Sequence, residues 1–454
     1  MENNLENARE AALKILMDIN ENRAYSNIAL NRYFSASELR DIDKAFITEI
    51  VYGTVKWKLF LDRVIASYSN IKMEKLSPWI LNILRLGAYQ LLKMSKVPQS
   101  AACNESVKLA GKYGHKASQG YVNAVLRNIT RGGIDAAIPE RNKDLAAYLS
   151  VTYSYPKWLT EKYLTLFGPE KTESLLDAGN KTPESTVRTN TLKVSCEMLL
   201  KQLNEAGIEA VEGRYAKEAV IIKSHVSFGS LRAFKDGFFQ VQDESSMLPA
   251  RVLAPKPGDT VLDACSAPGG KTTHIAQLMN NKGTVVARDV HEHKLKLVNE
   301  AAERLGIDII KTELMDAVCD NPKDKEAFDR VLLDAPCTGL GIIRRKPDIK
   351  WARETKDQDN IAKLQRMLIS NVAKAVKPGG VMVYSTCTIL PSENEDVVNG
   401  FLEENCDFEL DDISTYLPDN LAQYSQKGML QLYPDRDGID GFFIARIRRK
   451  ESMP

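Results

Sequence analysis

Between Val261 and Leu278 the chain reads VLDACSAPGGKTTHIAQL: an apolar run of strand length, a turn with two consecutive glycines, then a helical run. No other stretch constrains the fold as much. Strand, glycine turn and helix in that order belong to open α/β sheets, whose ligand sites lie outside the carboxyl ends of the strands. The alternation continues downstream. Thr260 to Asp263, Thr284 to Arg288, Ile309 to Thr312, Phe328 to Asp334 and Val381 to Thr386 read as short strands between helical stretches, and Gly441 to Ile447 as a closing strand.

Gly269 and Gly270 let backbone approach a ligand without interference from a Cβ. A Walker A loop would need glycine where Cys265 stands, and the loop has no GxGxxG, so it suits a cofactor lacking a pyrophosphate. Lys271 calls for an anionic neighbour, either a cofactor carboxylate or one of the protein's own. Three carboxylates follow at strand ends. Asp289 is placed to take hydrogen bonds from ribose hydroxyls, Asp316 to meet an adenine edge, and Asp334 to stand directly above the cofactor.

At 454 residues the chain exceeds what one hydrophobic core normally supports, so two or three domains are expected. Apolar residues at helical spacing over Ala8 to Asn20, Asp41 to Val51, Pro78 to Met94 and Tyr121 to Ile129 predict an all-α domain over 1–135. Ser77 reads as a cap before Pro78, and Gly132-Gly133 as a stop. Residues 136–154 read as a linker. A small α+β subdomain is expected over 155–242, with strands at Ser185 to Thr189, Glu218 to Ile222 and Phe238 to Gln242 and a helix at Cys196 to Ala206. The α/β domain would then occupy 243–450. Net charge is only +1, but between Val51 and Gly133 basic residues outnumber acidic ones 13 to 3. That bias fits either approach to a polyanion or a solvated helical surface. The stretch from Met1 to Arg9 has no apolar signal core, and no run is long enough to cross a bilayer, so the cytoplasm is the expected compartment. Seven cysteines without CxxC spacing and five histidines that do not cluster with them predict reduced thiols and no metal.

Cys337, in DAPCTG, and Cys387, in STCT, each stand just beyond a strand and on the rim that carries the glycine loop. Cys103, Cys196, Cys319 and Cys406 take the default reading of small buried hydrophobes. DACSAPGGKT, DAPCTG and STCTILPSENEDVV, with RRKPDIKW and the terminal DGFFIARIRR, resemble the NOL1/NOP2/Sun family of RNA cytosine-C5 methyltransferases. YSNIALNRYF, EIVYGTVKWKLFLDRVI, LRLGAYQLL, VPQSAACNESVKLA and GYVNAVLRNITR are similar to the NusB-like domain of its bacterial branch that modifies cytosine 967 of 16S rRNA.

The resemblance implies a NusB-like helical RNA-binding domain, a small α+β RNA-binding subdomain and a Rossmann-like class I methyltransferase domain. S-adenosyl-L-methionine would contact Cys265, Ser266, Ala267, Pro268, Gly269, Gly270, Lys271, Asp289, Asp316 and Asp334. Cys387 would be the nucleophile at C6 of the base, Cys337 would assist release of the methylated RNA, and a protonated Asp334 would hydrogen-bond N3. The partner implied is 16S rRNA, free or in an early assembly intermediate, with no membrane and no obligate protein partner. Arg344, Arg345, Lys346, Lys350 and Trp351 would position phosphates and stack on the strand, or else form a solvated loop with Trp351 buried. Arg188 and Asn190 would either wall the RNA or join domains. A DNA-type enzyme would instead use Cys337, after its proline, as the nucleophile. A noncatalytic rRNA-binding or transcription factor would leave the glycine loop and both cysteine motifs unexplained. If residues 51–133 meet phosphates, neutralising their exposed basic face should weaken RNA binding and flatten its salt dependence in a filter-binding titration, with cofactor affinity unchanged. A wild-type slope would refute this.

Overall fold

The computed structural model describes residues 2–224 and 226–451; Met1 and His225, which fall inside the readings above, and residues 452–454 lie outside the described residues. The chain forms two compact units. One comprises residues up to Lys181 together with Ile343–Arg353, and the other holds Thr182–Ile342 and the chain from Glu354 onward. Among the described residues no helix is long and apolar enough to cross a membrane.

The first unit is helical. Helix Glu2–Asn22 buries Ala8, Ala11, Ala12, Ile15, Leu16 and Ile19, a spacing of three and four that lines one face. Helices Asp41–Lys56, Lys58–Tyr68, Pro78–Lys93, Gln99–Tyr113 and Lys116–Gly132 pack around Ile47, Ile50, Leu61, Ile83, Leu84 and Leu126. Ser77 caps as expected: its hydroxyl accepts from Ile80 N, and Pro78 takes the first turn, where its missing N–H is harmless. The stretch 136–154, read as a linker, contains helix Leu145–Tyr153 with Leu149 and Val151 buried. Helix Lys157–Asn180 follows, kinked where Gly168 takes φ 75° ahead of Pro169.

The segment Ile343–Arg353 corrects one expectation. Lys350 is fully buried, and its ammonium donates to Lys56 O at 2.9 Å, Ser154 O at 2.8 Å and Asn180 Oδ1 at 3.3 Å, 4.1 Å from the Tyr155 ring centre. Burial first, then the charge of Lys56, pushes Lys350 well below the usual lysine range. Trp351 donates to Val55 O, and Asp348 accepts from Ser26. These side chains face the interior of the helical unit and are not available to position phosphates; Lys346 alone of the five basic and aromatic residues is exposed.

The second unit contains two sheets. The smaller is antiparallel, built from β1 (Ser185–Thr189), β2 (Ala210–Glu212), β3 (Ala219–Ile222) and β4 (Phe239–Val241) in the order β2-β3-β1-β4. The larger holds β5 (Thr260–Asp263), β6 (Thr284–Asp289), β7 (Ile310–Leu314), β8 (Phe328–Asp334), β9 (Val376–Thr386), β10 (Phe408–Leu410), β11 (Met429–Leu432) and β12 (Phe442–Arg449). Its order is β10-β12-β9-β8-β5-β6-β7, with β11 also on β12. β5 to β9 are parallel, and β12 returns antiparallel to β9. The chain builds outward from β5 through β6 and β7, then crosses back to β8 on the other side. This switch point opens a crevice at the carboxyl ends of β5 and β8.

Buried polar contacts tie the small sheet to the large one. Arg188, fully buried, donates to Gly270 O at 2.6 Å, Thr273 Oγ1 at 3.0 Å, Gln277 Oε1 at 3.2 Å and Gln242 Oε1. Asn190 donates to Gly237 O and Leu305 O. Of the two readings left open for these residues, the joining one describes their contacts. All four tryptophans (Trp57, Trp79, Trp158 and Trp351) lie in the helical unit, so tryptophan fluorescence reports on that unit alone. Lys350→Ala should lower the urea midpoint followed by this signal, with a loss of about 2–4 kcal/mol from a cavity and three acceptors without a donor. An unchanged midpoint would contradict the docking described.

Candidate active site

β5 runs through the core with Val261 and Leu262 buried and delivers Asp263 to the crevice. The following turn is closed by Ser266 N donating to Arg288 O at 2.7 Å and Gly269 N to Ser266 O at 2.8 Å. Gly269 has φ 100°, and a Cβ there would lie 3.0 Å from Val298 Cα, so this position requires glycine twice over. Helix Gly270–Leu278 then starts, and Thr272 Oγ1 donates back to Asp263 Oδ2 at 2.7 Å. Burial pushes the Asp263 carboxyl up to about 7. Ser266 Oγ is buried and has no hydrogen-bond partner among the described residues.

Asp289, Asp316 and Asp334 lie at or just beyond the ends of β6, β7 and β8. Asp289 Oδ1 accepts from His291 N at 2.9 Å and Asp316 Oδ1 from Val318 N at 3.0 Å; each turn orients its carboxylate through one oxygen. All of them act on Cys265. Its thiol is pushed far up, by burial first and then by the charges of Asp263, Asp334, Asp289 and Asp316. These charges and burial favour the protonated thiol at Cys265.

The anionic neighbour of Lys271 is Asp334, whose Oδ2 lies 2.7 Å from Lys271 Nζ. Burial opposes the Lys271 charge, but Asp334, with Cys387 and Asp263, outweighs it and holds the ammonium above the usual range. Asp334 Oδ1 accepts from Ser385 Oγ at 2.8 Å, a contact set by the register, since Asp334 on β8 faces Ser385 on β9. Three residues past Asp334 and two past Ser385, Cys337 and Cys387 meet with 3.1 Å between sulfurs. The hydrogen bond to Cys387, and next burial, push the Cys337 thiol well above the ordinary range. Either sulfur could donate across this contact, and the raised Cys337 favours its thiol form, which would place the proton on Cys337. A thiolate at Cys387 would have Cys337 S–H on one side and the Lys271 ammonium nearby.

The other cysteines divide. Cys103 is buried and Cys196 half-buried, whereas Cys319 and Cys406 are exposed, against the default reading for both. They lie on loops beyond β7 and before β10, where no apolar periodicity exists to signal burial or exposure. Ser385, Asp263, Glu393 and Asn394 were not singled out in the sequence. STCTILPSENEDVV carries three of them, but nothing in its spacing reveals a buried hydrogen-bond partner.

An α/β sheet with this switch point, a glycine turn after its first strand and carboxylates ending the next three strands is a Rossmann-like methyltransferase domain, here with two apposed thiols at its rim. The chain belongs to the 16S rRNA methyltransferase RsmB/F family, whose model matches residues 250–448. Residues 6–131 match the NusB family, and residues 155–229 a ferredoxin-like domain described as RsmF/B-like. The probable ribosomal RNA small subunit methyltransferase B of Bacillus subtilis is 41% identical over 97% of this chain and 98% of its own length. Ribosomal RNA small subunit methyltransferase B of Pseudomonas syringae pv. tomato is 34% identical over 97% and 96%. The crystal structure of NSun6 from Pyrococcus horikoshii with SFG covers 66% of this chain and all of its own, at 27% identity and a TM-score of 0.58.

Retention of the Cys337 proton has a direct test. With iodoacetamide at about pH 8, near a free thiol's own range, peptide mapping should find Cys387 alkylated well ahead of Cys337. Equal rates would overturn the assignment.

Proposed function

We propose that this protein transfers a methyl group from S-adenosyl-L-methionine to C5 of a cytosine in 16S rRNA, through a covalent bond between Cys387 and C6 of the base. The observation that carries the reading is the apposition of Cys337 and Cys387 at 3.1 Å beside the Lys271–Asp334 pair. The relatives named for small-subunit ribosomal RNA support the substrate, and the resemblance implies cytosine 967, reached in the cytoplasm on free 16S rRNA or an early assembly intermediate. Residues 1–135 are the proposed RNA-approach module.

The residues fit the cofactor. Asp289 and Asp316 each have one oxygen engaged in their own turns and a second directed to no partner among the described residues, suited to ribose hydroxyls and an adenine edge. Ser266 Oγ is a buried polar atom in want of a partner, in the same 265–271 loop assigned to contact it. The NSun6 structure with SFG, an analogue of the cofactor, supports the same reading. When bound, the cofactor supplies an electrophilic methyl group on a sulfonium.

C5 of cytosine is a poor nucleophile until C6 is attacked. The Cys387 thiolate adds to C6, breaking the aromatic ring and making C5 enamine-like. Charge moves onto the ring at N3. A protonated Asp334 is assigned the hydrogen bond there, and the Lys271 ammonium, 2.7 Å from its Oδ2, is a second donor at the same place. Once C5 carries its methyl group, loss of the C5 proton to a base and departure of Cys387 restore aromaticity. Cys337, its proton retained, donates a hydrogen bond to the departing sulfur. A base stacked in a helix must first be flipped out, and an unpaired loop lowers that requirement.

The two cysteines are separable by mutation. Cys387→Ala should abolish both methyl transfer and the covalent RNA adduct. Cys337→Ala should still form the C6 bond and transfer methyl, then accumulate a protein–RNA species on a denaturing gel, which the double variant should lack. Both single variants must retain cofactor binding by calorimetry. An adduct that survives Cys387→Ala and vanishes in Cys337→Ala would defeat the assignment and favour the DNA-type use of the Pro-Cys thiol.

A further inference from the structure

The loops carrying the two cysteines are braced from beneath by consecutive residues of one short segment. Glu393 is fully buried. Its Oε1 accepts from Thr338 Oγ1 at 2.6 Å, and its Oε2 accepts from Thr338 N at 2.8 Å and from Gln365 Nε2 at 3.2 Å. Gln365 Nε2 also donates to Pro336 O at 2.9 Å. One carboxylate thus holds Cys337 from both sides, through Thr338 directly and through Pro336 by way of Gln365. The next residue does the same for the other thiol. Asn394 Oδ1 accepts from Thr386 Oγ1 at 2.6 Å, and its Nδ2 donates to Thr388 O at 3.2 Å and Gln431 Oε1 at 2.7 Å, so Cys387 is flanked on both sides. Tyr384 OH donates to Glu393 O at 2.7 Å and fixes the backbone of the brace.

The two halves are joined. Thr338 and Thr388, the residues that directly follow the two cysteines, lie with their hydroxyls 3.0 Å apart. Thr338 Oγ1 donates its one proton to Glu393, so it must accept from Thr388. The chain Thr388, Thr338, Glu393 has one direction, and it ends on the buried Glu393 carboxyl.

We propose that Glu393 and Asn394 are positioning residues that set the reach and proton order of the two thiols, Glu393 acting through Cys337 and Asn394 through Cys387. This rests on the two-cysteine reading above. Glu393 has no part in bond making. Its brace keeps Cys337 where its S–H meets the departing Cys387 sulfur, and its charge is among the causes that keep the Cys337 proton in place. Glu393→Gln presents an amide N–H₂ toward donors and cannot satisfy Thr338 N, Thr338 Oγ1 and Gln365 together.

The test uses full-length protein, 16S rRNA fragments and 5-fluorocytosine RNA as the adduct trap. Glu393→Gln should bind cofactor normally and form the trapped adduct. On ordinary RNA it should release the methylated intermediate slowly, by about tenfold or more, the scale expected for a displaced group. Cys337 should become alkylated by iodoacetamide at lower pH than in wild type, because a nearby negative charge is gone. Combined with Cys337→Ala, Glu393→Gln should slow release no further. Release and alkylation profiles matching wild type, or losses that multiply in the double variant, overturn the proposal. Should Glu393→Gln fail to fold by thermal melting, Thr338→Val, which removes the hydroxyl link at nearly constant volume, carries the same expectation for release. Wild-type protein that forms no adduct on 5-fluorocytosine RNA defeats the cytosine-C5 reading instead, and the alkylation profile then decides the brace alone.

Discussion

The parallel register between β8 and β9 is the constraint on which the rest of the site depends. With Asp334 opposite Ser385, both strands end at the same height, and the two or three residues that follow each are delivered to one rim. A slip of one residue would turn each side chain to the opposite face of the sheet. Asp334 would lose Ser385, and the sulfurs of Cys337 and Cys387 would no longer stand 3.1 Å apart. β5 lies on the other side of β8 in parallel, with Asp263 opposite Leu332, and this brings the glycine loop and Lys271 within reach of the same carboxylate.

Around that register the protein places more buried polar groups than a purely apolar core would require. Lys271 faces Asp334, Arg188 crosses from the small sheet to the helix after the glycine loop, and Glu393 holds Thr338 beside Cys337. His274, on that same helix, is buried against Glu218, and burial lowers it to about 4, so it is neutral at physiological pH. Such groups stabilise only when their partners are met, and a half-satisfied network is worse than none. Their return is geometric. Apolar side chains of suitable volume pack in several ways, whereas a carboxylate with three defined donors accepts one arrangement.

The helical unit follows the same logic with different material. Its core is a set of apolar faces at helical spacing, but the segment Ile343–Arg353 is held there by Lys350 on three oxygen acceptors, Trp351 on Val55 O and Asp348 on Ser26. Burial disfavours the charge of such a lysine, and its selectivity lies in three acceptors from three separate helices or turns. This is why RRKPDIKW, which reads as a basic surface loop, has most of its length inside the protein.

By itself the sequence determined the class of each domain and the principal chemistry of the site. Amphipathic spacing marked the helices, strand–helix alternation marked the sheet, and short motifs anchored to strand ends marked the glycine loop, the carboxylates and both thiols, because local periodicity and strand ends are properties of neighbouring residues. The short strands β2, β10 and β11, of three or four residues, were not read from the sequence. The tertiary structure alone decided what joins residues far apart in the chain. Lys271 could have faced the cofactor or the protein and faces Asp334; Arg188 and Asn190 could have met RNA and join two sheets; Glu393 and Asn394 lay in a motif whose spacing did not reveal their partners. Charge and residue type limit what a side chain can bond to, but which partner it meets follows from strand order, register and burial, and those are fixed only when the whole chain is packed.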